Sequence, residues 1–185
     1  MTVEIWHYTA AKLPEIRDHI LDIHVEVRTR DFGLAAPFYS RERFDERLER
    51  YASRSGWTAA IGWEDGAPVG FCFGHPLAPD TQWWEGMLGE PLPADFTRED
   101  GVRTVALNEI VVRKQWRGSA VAWQLHEAWL GLRPEERATL LVNPTAGNGA
   151  VQGRYEAWGY RKVGDQKPFD DSPVFASMLR PVKIS

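Results

Sequence analysis

The chain has 185 residues, 22 Lys and Arg against 26 Asp and Glu, and a formal net charge of −4. A balance so near neutrality, with no basic run, argues against nucleic acid as the main partner. A composition 43% hydrophobic and 26% charged excludes a disordered or fibrous chain. No apolar stretch approaches the roughly 20 residues needed to cross a bilayer, so no membrane partner is expected. Met1-Thr2-Val3-Glu4 lacks the form of a signal peptide. The single cysteine, Cys72, can build neither an internal disulfide nor a thiolate metal site. These features lead us to expect a cytoplasmic, metal-independent chain forming one domain over residues 1–185.

Val3 to Tyr8 alternate and predict a first strand. Leu13, Ile16, Ile20, Ile23 and Val27 recur every three or four residues, the stripe of an amphipathic helix, which Asp31-Phe32-Gly33 breaks. Ser40 fits the N-cap of a second helix carrying Phe44, Leu48 and Tyr51, although Arg43 stands where a capping box places an acid. Trp57 to Trp63 and Val69 to Leu77 predict an antiparallel hairpin about the turn signal Glu64-Asp65-Gly66. Residues 78–103 hold Pro79, Pro91, Pro93 and the adjacent Trp83 and Trp84 without any sustained period, and so long a loop inside a compact domain is commonly functional. Thr104 to Val112 then reads as a buried strand and Gly118 to Leu132 as a helix. Ala138 to Val142 is a further strand, and Asn148 to Trp158 a helix ended by Gly159. Tyr160 to Val163 and Val174 to Leu179 close the series as short strands. This order predicts an α/β (α+β) domain, a mixed sheet of about seven strands with helices on both faces.

The chemistry concentrates where the strand Asn108 to Val112 runs through Arg113-Lys114-Gln115-Trp116 into Arg117-Gly118-Ser119-Ala120-Val121-Ala122. Small residues at a helix start let a ligand approach the backbone, and the free N–H groups of the first turn attract phosphate. Arg113, Lys114 and Arg117 add positive charge there. Neither the Gly-rich Lys-Ser/Thr phosphate loop nor the three-glycine dinucleotide fingerprint is present. Taken alone, this loop fits equally an ordinary strand-to-helix turn with a solvated basic face.

A second stretch, Asn148 with Tyr155 seven residues on and then Gly159-Tyr160, sharpens the reading. Together with the loop 117–122, it makes the chain resemble the GNAT superfamily of acyl-CoA N-acyltransferases. The resemblance has departures. Ala120 and Ala122 stand at the usual glycines, Val151 at a usual alanine, and the connection 143–147 is longer than usual. What it implies is a GNAT fold whose sheet is splayed in the middle, with acetyl-CoA as co-substrate and no metal. Ile110, Val111 and Val112 would pair with the pantetheine arm, Arg117, Gly118, Ser119, Ala120, Val121 and Ala122 would receive the diphosphate, and Asn148 would bond the pantetheine or cap its helix. Glu109, a carboxylate in an apolar strand, is the candidate base, and Tyr155 the candidate acid at the leaving sulfur; each has a plain packing or pairing alternative. The expected activity is transfer of an acetyl group to a primary amine of a small molecule or peptide. The alternative is a non-catalytic acyl-CoA-binding module of the same fold. Asp31 and Phe32 in one connection, and Trp83 and Trp84 in the other, are expected to border the acceptor. Trp83 and Trp84 fit equally an anchor for their loop or a homodimer contact.

Overall fold

The computed structural model describes residues 2–183; Met1, Ile184 and Ser185, included in the expected domain, lie outside the described residues. In chain order the elements are β1 (Glu4–Thr9), α1 (Leu13–Val25), α2 (Arg41–Ala52), β2 (Thr58–Glu64), β3 (Ala67–Pro76), β4 (Met87–Leu88), α3 (Ala94–Thr97), β5 (Thr104–Val112), α4 (Val121–Leu130), β6 (Arg137–Val142), α5 (Ala150–Ala157), β7 (Arg161–Gln166) and β8 (Phe175–Pro181). They fall into two compact units. The first holds the described residues up to His75 together with Asn108–Arg133, and the second holds Pro76–Leu107 together with the described residues from Pro134 onward.

In the first unit β1 pairs antiparallel with β2, and β2 with β3. The turn between β2 and β3 has positive φ at both Asp65 and Gly66, the twist that a tight hairpin requires. The second half of β5 joins this group, where the Arg113 N–H donates to the Val69 carbonyl at 2.9 Å. The predicted stripe of α1 is buried as expected. Ile16, Ile20, Ile23 and Val27 pack with Phe44 and Leu48 of α2 and with Ile61, Phe71 and Phe73 of the strands. Ser40 caps α2 by accepting the Arg43 N–H at 3.1 Å, so half of the capping box suffices. The apolar stripe of α1 extends to Val27, but the α-helix does not. After Val25 it widens into a π-helical turn, Glu26–Asp31, closed by the Phe32 N–H on the Val27 carbonyl at 3.2 Å.

In the second unit the first half of β5 runs parallel to β6, Thr104 to Leu107 opposite Arg137 to Leu140, and that pairing stops before either strand ends. β6 pairs antiparallel with β8, β8 with β7, and β7 with β4. Among the described residues the strands number eight rather than about seven. The additional one, Met87–Leu88, lies inside the segment read as a loop, and its two residues opposite Gln166 and Asp165 are too few to leave a period in the sequence. The same segment folds the short helix α3 and packs Trp83, Trp84, Leu92 and Phe96 against Leu77 and Ala106.

Two helices start later than their sequences predict, α4 at Val121 and α5 at Ala150. In each case positive backbone angles precede the helix, at Gly118 and at Gly147, Asn148 and Gly149. These are conformations a helix cannot continue through.

Close approach of β3 to β5 depends on Gly70. A Cβ there would stand 2.7 Å from the Val111 carbonyl oxygen and 3.1 Å from a Val112 methyl. Gly70→Ala should therefore force the two strands apart and lower stability by about 1–3 kcal/mol, read as a lower denaturation midpoint at unchanged m-value. An unchanged midpoint would show that the strands yield at no cost.

Candidate active site

The first unit assembles most of the residues the sequence singled out. Glu109 projects from β5 with its side chain 15% exposed, and Arg28 of the π-helical turn donates from Nη2 to its Oε1. Burial pushes the Glu109 carboxyl up, but the Arg28 guanidinium, with lesser pulls from His24 and Arg47, outweighs it and holds the group below the ordinary carboxylate range. Glu109 is thus a carboxylate kept ionised and oriented by a cation.

Around this pair lie groups that the sequence did not point to. His24 stacks face to face on Phe44 with ring centres 3.6 Å apart and is almost wholly buried. Its ring nitrogens form no well-aligned hydrogen bond, the Tyr39 backbone offering only a weak contact. Burial pulls its pKa down to about 4, so the ring is neutral at pH 7. Arg47, also buried, donates to the Phe38 carbonyl at 2.7 Å and lies 3.9 Å over the Phe38 ring. Alternation carries Asn108 to the face of β5 opposite Glu109. Both of its side-chain amide atoms are buried without a hydrogen-bond partner among the described residues. An orphaned amide costs about 1–3 kcal/mol. That orphaned amide, on the strand expected to take the pantetheine, is the signal that sequence alternation alone could not supply. Cys72 is a buried thiol that donates to the Leu125 carbonyl at 3.4 Å and is pushed up by burial, as expected of an inert core cysteine.

At the end of β5, Val111 and Val112 are buried and Ile110 is half-buried. The chain then turns through the basic run. Arg113 pairs with Glu26 at 2.8 Å, and the Trp116 indole donates to Glu64 at 3.1 Å. Gly118 has φ +77 and open space around its Cα, a conformation that a side chain would oppose and that leaves the backbone approachable. Ala120 is the N-cap of α4 and supplies no side-chain cap. Ser119 is exposed, its hydroxyl donating to the Trp116 carbonyl at 2.5 Å and accepting the Val121 N–H at 3.3 Å. Ala122 lies in the first turn of α4. Arg117 donates from Nε to the Val112 carbonyl at 3.0 Å, its Nη2 meets Asp31, and its guanidinium stands 4.5 Å from the Phe32 ring centre. Asp31 and Phe32, expected to border the acceptor, both lie on Arg117 of the basic loop.

The remaining candidates belong to the second unit. Tyr155 on α5 is half-buried and makes edge contacts with Trp158 and Tyr160, at 5.4 and 5.8 Å between ring centres. Asn148 does not cap α5. Gly149 occupies the N-cap, and Asn148 sits before it with φ 54 and its N–H on the Thr145 carbonyl. Trp84 is buried, with its indole donating to Glu99 at 3.1 Å and its ring edge-on to Phe96. These contacts anchor the insertion. Trp83 is half-buried beside Trp84.

His24 supplies a pH test of the first unit. Its folded pKa of about 4 lies below the ordinary 6.5. Its contribution to stability is therefore complete above pH 6.5 and declines as pH falls toward 4, on the order of 3 kcal/mol in all. Urea denaturation of wild type and His24→Leu at pH 7 and pH 4.5 should show a smaller acid loss in the variant. Equal losses would remove His24 from the buried, neutral state.

No protein-family model matches the chain, and no curated protein matches it either. Solved structures do. Ard1 from Thermoplasma volcanium is similar over 100% of both chains, with 16% identity and a TM-score of 0.62. An acetyltransferase of the GNAT family from Staphylococcus aureus Mu50 is similar over 98% of this chain and 100% of its own, at 14% identity and a TM-score of 0.65. The PaiA N-acetyltransferase from Thermoplasma acidophilum, solved in complex with coenzyme A, is similar over 98% and 99%, at 13% identity and a TM-score of 0.57. Likeness over whole chains at such low identity is likeness of fold, and the fold of this chain is that of the GNAT acetyltransferases.

Proposed function

We propose that the protein is an N-acetyltransferase of the GNAT superfamily, moving an acetyl group from acetyl-CoA to a primary amine of a small molecule or peptide. The observation that carries this reading is the run from β5 to α4. A strand bearing an ionised carboxylate, Glu109, leads into a turn open at Gly118, flanked by Arg113 and Arg117, at the start of a helix without a side-chain N-cap. Backbone N–H groups at such a helix end, with arginines beside them, suit a diphosphate. The orphaned amide of Asn108 on the same strand suits a polar arm laid along it.

In this reading the backbone of Ile110, Val111 and Val112 would hold the pantetheine, assisted by Asn148. The N–H groups of residues 117–122 would hold the diphosphate. Acetyl-CoA supplies, when bound, an acyl thioester open to attack by an amine lone pair. The amine must first lose a proton. Glu109, held ionised by Arg28, is a weak base, and it serves best by anchoring the ammonium and taking its proton through water. The Tyr155 hydroxyl would give a proton to the departing sulfur. The engagement of Glu109 by Arg28 also favours a second reading, a non-catalytic acyl-CoA-binding module, which differs in having no turnover with any amine.

A screen for CoA release against an amine library, with the mass of each product, should find an acetylated acceptor. Binding of acetyl-CoA without release from any amine would favour the module instead. With an acceptor in hand, Tyr155→Phe should lower kcat on the order of 10²-fold while leaving acetyl-CoA affinity nearly unchanged. Glu109→Gln should depress the rate most at low pH, where unassisted amine is protonated. A pH–rate profile identical to wild type would exclude Glu109 as the base.

A further inference from the structure

One six-residue turn, Glu26–Asp31, brings three charged side chains to three counter-charges on β5 and the loop after it. Glu26 meets Arg113, Arg28 meets Glu109, and Asp31 meets Arg117. The last pair differs from the others in its setting. Arg117 is fixed at Nε by the Val112 carbonyl and on one face by Phe32, and Asp31 holds its Nη2. The Arg117 and Asp31 side chains are 26% and 19% exposed, so the pair is partly open to an anion from solution. The guanidinium is therefore a preorganised anion seat, and the anion seated on it is a side chain of the same chain.

We propose that Asp31 is an internal competitor for the diphosphate of coenzyme A, and that it sets the affinity of the donor site; this rests on the reading that the chain binds acetyl-CoA at residues 117–122. A diphosphate oxygen drawn to the Nη2 that Asp31 holds would meet that carboxylate first, so the two anions compete for the same donor. A carboxylate left beside the diphosphate would repel it. Donor binding thus separates Asp31 from Arg117. Residues 33–36, next in the chain, form neither helix nor strand and border a cavity of about 210 Å³ lined also by Thr29 and Ser40, and the Leu34 N–H ties them to the turn through the Arg28 carbonyl at 3.0 Å, a bond that a shift of Asp31 would strain. Arg28, which holds Glu109, stands on the same turn three residues before Asp31.

The test is calorimetric titration of CoA into the full chain, with thermal melting to establish that each variant is folded. Asp31→Asn should bind CoA about 3- to 10-fold more tightly than wild type at low salt, with the gain shrinking as salt rises. In an Arg117→Met background the same substitution should change nothing, since the seat is gone. Hydrogen exchange supplies a readout that needs no variant. Saturating CoA should speed exchange over residues 29–36 of the wild type, and Asp31→Asn should exchange fast there without CoA. If folded Asp31→Asn binds CoA no more tightly than wild type, or if CoA slows exchange over 29–36, the competitor assignment is overturned and CoA binding still stands. If neither wild type nor Asp31→Asn binds CoA, the donor reading falls and the competitor with it. Binding by Asp31→Asn alone would be the strongest support.

Discussion

A carboxylate on a half-buried strand has to be answered by a cation, and in this protein the answer to Glu109 organises the first unit. A neutral glutamic acid would tolerate the site, but an ionised one requires a guanidinium at hydrogen-bond distance. Arg28 reaches it because α1 does not end at Val25 but widens into a π-helical turn. The widened turn continues the buried stripe to Val27 while presenting Arg28 to β5. The cost of the charge pair is spread over its neighbours. His24 stays neutral against Phe44, and Arg47 is held by the Phe38 carbonyl and ring.

The same turn explains why the basic loop after β5 can exist in the free protein. Arg113 and Arg117 stand close in sequence and would repel each other at the start of α4, where the helix dipole also disfavours cations. Glu26 and Asp31 supply counter-charges to them one by one. A surface ion pair of this kind is worth little, with a typical contribution of about 0–1 kcal/mol. It can therefore be exchanged for a stronger anion without unfolding anything. Weak internal pairing keeps the arginines ordered and leaves them available.

In the second unit an internal polar network plays the corresponding part. Glu99 has a fully buried side chain and accepts from the Trp84 indole, the Thr104 hydroxyl and the Arg137 guanidinium, at 2.9 to 3.1 Å. Arg137 in turn stands over Phe96, 4.8 Å from its ring centre. A proline-rich segment with two adjacent tryptophans is thereby fastened to the start of β5 and to β6. The tilt of one indole against the other, 83°, lets neighbours in sequence share one core.

The sequence by itself determined the element order, the inward stripes of α1 and α2, the β2–β3 hairpin and the basic strand-to-helix run, because each is written in a period or in a turn residue that acts locally. It also marked Glu109, since an acid in an apolar strand is conspicuous without any partner in view. Tertiary structure decided who that partner is. Arg28 and Glu109 are 81 positions apart, and nothing local distinguishes Arg28 from the arginines around it. It likewise placed Asp31 and Phe32 on Arg117, 86 positions from Asp31, a contact that no local pattern announces. The two-residue β4 and the burial of Trp84 share this origin. Each is set by a hydrogen bond, a backbone angle or a packing contact with residues remote in sequence, and a short segment carries no record of a partner it meets only when the chain has folded.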